Sequence, residues 1–137
     1  MPTPVGNYEQ RTCFQDISGR TTLAAADNLS ATARQLVAAK PSHTIFIQRI
    51  TVNVITDNAA TLKFQDNNGT PRIIAGTKVS PGIGPIVFDM GDEGAALTEG
   101  KEFQLMNSAA GLAAEIIWHG YMKPTATMTA ANFAAGT

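Results

Sequence analysis

The sequence predicts an all-β protein, an antiparallel sandwich of short strands, and three observations carry that prediction. Residues Leu112 to Lys123 (LAAEIIWHGYMK) alternate strictly. Leu112, Ala114, Ile116, Trp118, Gly120 and Met122 fall on one side, and Glu115, His119 and Lys123 on the other with Ile117 and Tyr121. Such alternation marks a strand with one buried face. Residues His43 to Thr56 (HTIFIQRITVNVIT) are crowded with β-branched side chains, which fit a pleated sheet better than a helix. Elsewhere short apolar runs and turn signals alternate, with none of the repeated helices that parallel β-α-β units require.

Taken in order, the chain opens with MPTPVGNYEQRTCFQDISGR, where Tyr8, Phe14 and Ile17 are interleaved with Glu9, Arg11, Asp16 and Arg20. This stretch lacks the apolar run of a secretory signal and has more aromatics than a disordered tail. Residues 1–32 are expected to be an extended arm, 33–123 the sandwich, and 124–137 a flexible tail. Within TTLAAADNLSATARQLVAAK, residues Leu29, Ala33, Leu36 and Val37 have helical spacing, but a strand over about Ala33–Ala39 is preferred, with Lys40-Pro41-Ser42 as a corner.

The long run from His43 changes phase. Ile45 and Ile47 are odd, whereas Ile50, Val52 and Val54 are even, which predicts a bulge or bend near Gln48 and Arg49. Such a bend would let one strand serve both sheets. Leu62 and Phe64 alternate in TLKFQD. Asn68-Gly69 is a strong turn signal. PRIIAGTKV, IVFDM and KEFQLMN supply further strands, with Phe103 and Leu105 alternating in the last. Pro124 ends the final strand because proline cannot donate to a ladder. In the tail, Phe133 stands alone as an aromatic anchor.

Composition narrows the function. The 137 residues suit one domain with one core. Charged residues are only 15% of the chain and net charge is −1, so a basic nucleic-acid footprint is absent and the surface suits association. No apolar run reaches the length of a membrane span. The single cysteine, Cys13, has no internal disulfide partner and reads as a small hydrophobe rather than a nucleophile.

Catalytic chemistry finds little support. His43 and His119 lack an acidic residue at a recognisable spacing, and a zinc site needs more ligands. PGIGP is not a nucleotide loop. Asp89, Asp92 and Glu93 form an acidic loop without calcium-loop spacing, read as a solvated turn. Glu99 and Glu102 bracket a turn. No metal, cofactor or catalytic residue is assigned; a pocket gathering His119 with Asp89 or Glu93 would favour an enzyme.

From about Gln35 to Tyr121, the order QLVAAKPSHTIFIQRITV, ATLKFQDNNGTPRII, PGIGPIVFDM and EGKEFQLMNSAAGLAAEIIWHGYM resembles the small β-sandwich virion proteins of tailed bacteriophages. These occur as capsid decoration (cement) proteins or as domains of head and tail fibres. The resemblance covers roughly two-thirds of the chain and carries no active-site residues. It implies a jelly-roll-like sandwich, a structural role in a virion and often a trimer. The leading expectation is a non-enzymatic decoration protein on the capsid surface, assembled in a host cytoplasm, with the major capsid protein and copies of itself as partners.

The arm then has a role. Twenty extended residues reach roughly 60 Å, enough to cross a neighbouring subunit. Tyr8, Arg11, Phe14, Ile17, Arg20 and Phe133 are the expected interface anchors, burying rings in a partner or pairing with its acidic groups. Rival readings are a tail, fibre or head-to-tail connector component, and a carbohydrate-binding sandwich. The last would be favoured by an exposed Trp118 or Tyr121, and alternation instead puts Trp118 in the core.

Overall fold

The computed structural model describes residues 14–56, 60–79 and 85–124. Ten strands make up its regular structure: β1 (Gln15–Asp16), β2 (Gly19–Leu23), β3 (Arg34–Val37), β4 (His43–Thr56), β5 (Ala60–Asp66), β6 (Ile73–Val79), β7 (Ile86–Asp89), β8 (Ala95–Ala96), β9 (Phe103–Asn107) and β10 (Ala113–Pro124). One sheet runs β1-β10-β4-β7, with β2 also on β10 and β8 also on β4. The other runs β3-β9-β5-β6. All pairings are antiparallel.

The strands nest. β5 pairs β6, β4 pairs β7 and β8, β3 pairs β9, and β2 pairs β10, like one long hairpin rolled so that β10 lies beside β4 and β9 beside β5. That wrapping is the jelly roll, which divides a barrel into two packed sheets. The core between them is made of the inward positions of both. Ile45, Ile47, Ile50, Val52, Ile116 and Trp118 face Leu62, Phe64, Phe103 and Leu105. Phe103 stacks on Phe64 and meets Trp118 edge-on, both at about 6 Å between ring centres, so aromatic contact crosses the inter-sheet gap.

The phase change in β4 is a bulge. His119 pairs Arg49 and Gly120 pairs Ile47, leaving Gln48 as the extra residue. The strand does not, however, pass from one sheet to the other as the bend suggested. Both halves pair with β10, and the bulge serves to return the apolar side chains to the core after one residue of slip. Ser42, at the expected corner, has φ of 61°, and the His43 N–H donates to the Lys40 carbonyl at 3.1 Å.

β1 and β2 lie within residues 1–32, the span expected to be an extended arm, and form the outer flank of β10 in the same chain. The reason is backbone demand. β10 is 12 residues long, β4 occupies one flank, and the N–H and C=O groups of the other flank need partners. Gly19 to Leu23 meets that demand with little apolar signal of its own, burying only Leu23 fully. Arg34 then clasps the open side. It donates to the Thr22 carbonyl at 2.8 Å and pairs with Asp27 at 2.7 Å, linking the edge of one sheet to the edge of the other.

Asp66, fully buried at the end of β5, organises the opposite end. One carboxylate oxygen accepts the N–H groups of Asn68 (3.1 Å) and Arg72 (2.9 Å), and the other accepts that of Thr98 (2.9 Å). Burial pushes its pKa up, but the hydrogen bonds from Thr98, Arg72 and Asn68 outweigh burial and hold it below the ordinary 3.8. A depressed folded value means the stabilisation is present above pH 4 and is lost as pH falls through that value. Asp66→Ala is expected to cost about 2–3 kcal/mol at pH 7 in urea unfolding, from three stranded donors. The variant's deficit relative to wild type should shrink by pH 3, whereas an equal deficit at both pH values would show that the carboxylate charge contributes nothing.

Candidate interaction surface

The outer face of the larger sheet collects the side chains that point away from the core. β10 contributes Glu115, Ile117, His119, Tyr121 and Lys123, because its even positions are buried. Register then sets their neighbours: Tyr121 lies opposite Phe46 and Asp16, Ile117 opposite Thr51 and Arg20, and Thr51 opposite Val87. An aromatic cluster occupies one corner. Tyr121 stacks on Phe46 (ring centres 5.0 Å apart) and on Phe14 (5.5 Å). The Lys123 ammonium lies 4.9 Å from the Phe46 ring centre and 5.6 Å from that of Phe14, within cation–π reach. The Tyr121 hydroxyl donates to the Glu93 carbonyl at 2.8 Å, and burial, then the Glu93 charge, push its pKa up.

The chain's described ends meet at the same corner. Gln15 and Met122 are register partners in antiparallel strands, so Phe14 and Pro124 lie at the same end of adjacent strands.

Of the expected anchors, Tyr8, Arg11 and Phe133 lie outside the described residues, as does Cys13. The other three engage the chain's own sheet. Phe14 is in the cluster and remains 47% exposed. Ile17 packs against the core. Its N–H donates to the Gly120 carbonyl at 3.1 Å, and its carbonyl accepts the Trp118 indole N–H at 2.7 Å. Arg20 pairs with Glu115 and is largely solvated, so this ion pair contributes little to stability. Asp16 accepts from Ser18, whose hydroxyl and N–H hold the Asp16 carboxyl below its usual range.

His119 and Asp89 do come together, on a depression of about 290 Å³ also lined by Gln48, Arg49, Gly91 and Asp92. It is a dent beside the Gln48 bulge, where Asp89 accepts the Gly91 N–H (3.0 Å) and pairs with Arg49 (3.8 Å). Glu93 is not on its lining. Among the described residues no three His, Cys, Asp or Glu side chains gather as metal ligands would.

Sequence reasoning missed Phe46 and Lys123 as partners of Tyr121. Each stands at an outward position of its strand. Cross-strand register, which no local pattern specifies, brings them together.

No protein-family model matches the chain, and no curated protein matches it. Among solved structures, the chain is similar to the STIV MCP, at 14% identity and a TM-score of 0.45, over 86% of this chain and 44% of that one. It is similar to a protein of Bacillus endospore appendages, described as disulfide-linked pili, at 16% identity and a TM-score of 0.45, over 81% of this chain and 89% of that one. It is also similar to a chain of the extra small virus particle of the giant freshwater prawn Macrobrachium rosenbergii, at 8% identity and a TM-score of 0.41, over 80% and 79%. The chain thus spans less than half the length of the STIV MCP.

Proposed function

We propose that this chain is a non-enzymatic structural protein of a virus particle, a decoration subunit that binds the outside of a capsid and ties neighbouring subunits together. The observation that carries the reading is the shared corner. Phe14, 47% exposed, stacks there on Tyr121, which stacks on Phe46, and residues 1–13 and 125–137 join the described chain at that corner. An apolar corner that both join suits a subunit that grips its neighbours there. Three further features support the reading: the low charge of the chain, its resemblance to phage decoration proteins, and a jelly roll whose interior is filled by Phe64, Phe103 and Trp118 rather than hollowed for a ligand.

Tyr8, Arg11 and Phe133 are the anchors this role needs, since Phe14, Ile17 and Arg20 are at least partly occupied within the chain. The test is co-sedimentation with capsids of the encoding virus, using full-length protein and versions lacking residues 1–13 or 125–137. Cutting at residue 20 would remove β1 and open β2. Saturable binding that one deletion weakens by about tenfold or more fits an arm supplying over about 1.4 kcal/mol. Equal binding by all three would place the contact on the sandwich alone. No binding by any of them would end the decoration reading.

A further inference from the structure

The two outer faces of the sandwich are unlike. On the smaller sheet the outward strand positions form neutral rows. Gln35, Gln104 and Gln65 lie in register across three strands, Lys63 and Lys78 are the charges on the strands themselves, and Glu102, just before β9, is the carboxylate that Gln104 reaches. On the larger sheet the charges balance: Arg20, Arg49 and Lys123 against Asp16, Glu115 and Asp89. Among the described residues, three of the four exposed large hydrophobic side chains lie in or beside this sheet: Phe14 (47% exposed), Val87 (56%) and Ile55 (64%).

We infer that the outer face of the larger sheet is a two-fold self-docking surface, and that its occupant is the same face of a second copy of this chain. Charge selects that occupant. A face that meets itself doubles any net charge it carries, so self-docking requires a balanced face. The larger sheet meets this condition, whereas the smaller one, with Lys63 and Lys78 against Glu102, would double a net positive charge. A strongly charged partner, by contrast, would have no complement here.

Area comes near what a dimer needs. β10 and β4, 12 and 14 residues long, with the shorter strands on either flank about 4.8 Å apart, cover roughly 20 Å by 30 Å, or about 600 Å² in plan before side-chain relief is counted. That approaches the roughly 800 Å² per partner of a stable interface. Arg20, Ile117, Thr51 and Val87 run in one row across the sheet, with Glu115 in a row to one side and Arg49 and Asp89 in a row to the other, so apolar groups and charges of both signs are interspersed over the face. The pairing is two-fold, unlike the trimer that the sequence resemblance implies. It stands apart from the virion reading, because self-pairing is read without any capsid.

The experiment is sedimentation equilibrium of the full-length protein from about 1 to 100 μM, with Val87→Arg, Ile55→Lys and, on the other face, Gln35→Arg. A reversible dimer is expected. Val87→Arg should raise its dissociation constant about 100-fold, because two-fold symmetry buries the new charge twice. Ile55→Lys should act in the same direction, and Gln35→Arg should change nothing. Circular dichroism checks folding, and Ile55 is exposed enough that its variant keeps the test intact if Val87→Arg misfolds. A monomer at 100 μM or a trimer would overturn the inference. So would a dimer unaffected by either face variant, or one broken by Gln35→Arg alone.

Discussion

Trp118→Ala is expected to lower stability by about 4 kcal/mol. The indole is 5% exposed and does three things at once. It spans from β10 to Phe103 of the other sheet, with ring centres 6.0 Å apart and planes at 71°. Its N–H satisfies the Ile17 carbonyl at 2.7 Å, at the junction between β1 and β2. It also lies against Gly19, where an added Cβ would fall 2.7 Å from the ring. Truncation would leave a cavity at the sheet interface and an unpaired carbonyl where the first strands join β10.

Two milder variants separate these roles. Trp118→Phe keeps most of the volume and loses the donor, for about 1–1.5 kcal/mol. Gly19→Ala keeps the tryptophan and pushes it, for about 1–3 kcal/mol. Chemical unfolding followed by circular dichroism reads all three, since total stability for a domain of this size is about 5–15 kcal/mol. If Trp118→Ala costs under about 1.5 kcal/mol, the tryptophan does not bridge the sheets as described.

Gly120→Ala is the second, at about 3 kcal/mol. A Cβ there would lie 2.3 Å from the Phe46 carbonyl oxygen, 3.0 Å from Ile17 Cδ1 and 3.2 Å from Ile47 Cδ1. The nearest of these atoms is backbone, and it belongs to β4, the partner that β10 pairs along its whole length. Two central strands would have to part at the Gln48 bulge, which costs more than ordinary overpacking of side chains. His119→Ala, one residue away and exposed, should change stability by under about 0.5 kcal/mol. Equal effects at the two positions would mean the close approach at Gly120 is absent.

Much of the architecture was legible because it is written in local alternation. A strand with one wet face must alternate, so β4, β5, β9 and β10 show themselves in Ile50–Val52, Leu62–Phe64, Phe103–Leu105 and Ile116–Trp118. Even the bulge at Gln48 could be read, because a one-residue slip has to reverse the phase of everything after it. The candidate surface was only half legible. Tyr121 and Lys123 were known to point away from the core, but what they would meet there was not.

The sequence by itself therefore determined the class of fold, the strands with apolar alternation, the buried place of Trp118 and the shortage of charge that points to association. Tertiary structure alone decided the rest. Gly19–Leu23 becomes a strand because β10 has an open flank, and no apolar pattern records a neighbour's unmet hydrogen bonds. Asp66 becomes a buried hub because the turn after β5 and the loop containing Thr98 happen to close over it. Phe14, Phe46 and Tyr121 become one cluster because register aligns residues far apart in the chain. Alternation is a property of one strand, which the sequence carries. Register and edge-filling are properties of pairs, and only the assembled sandwich supplies them.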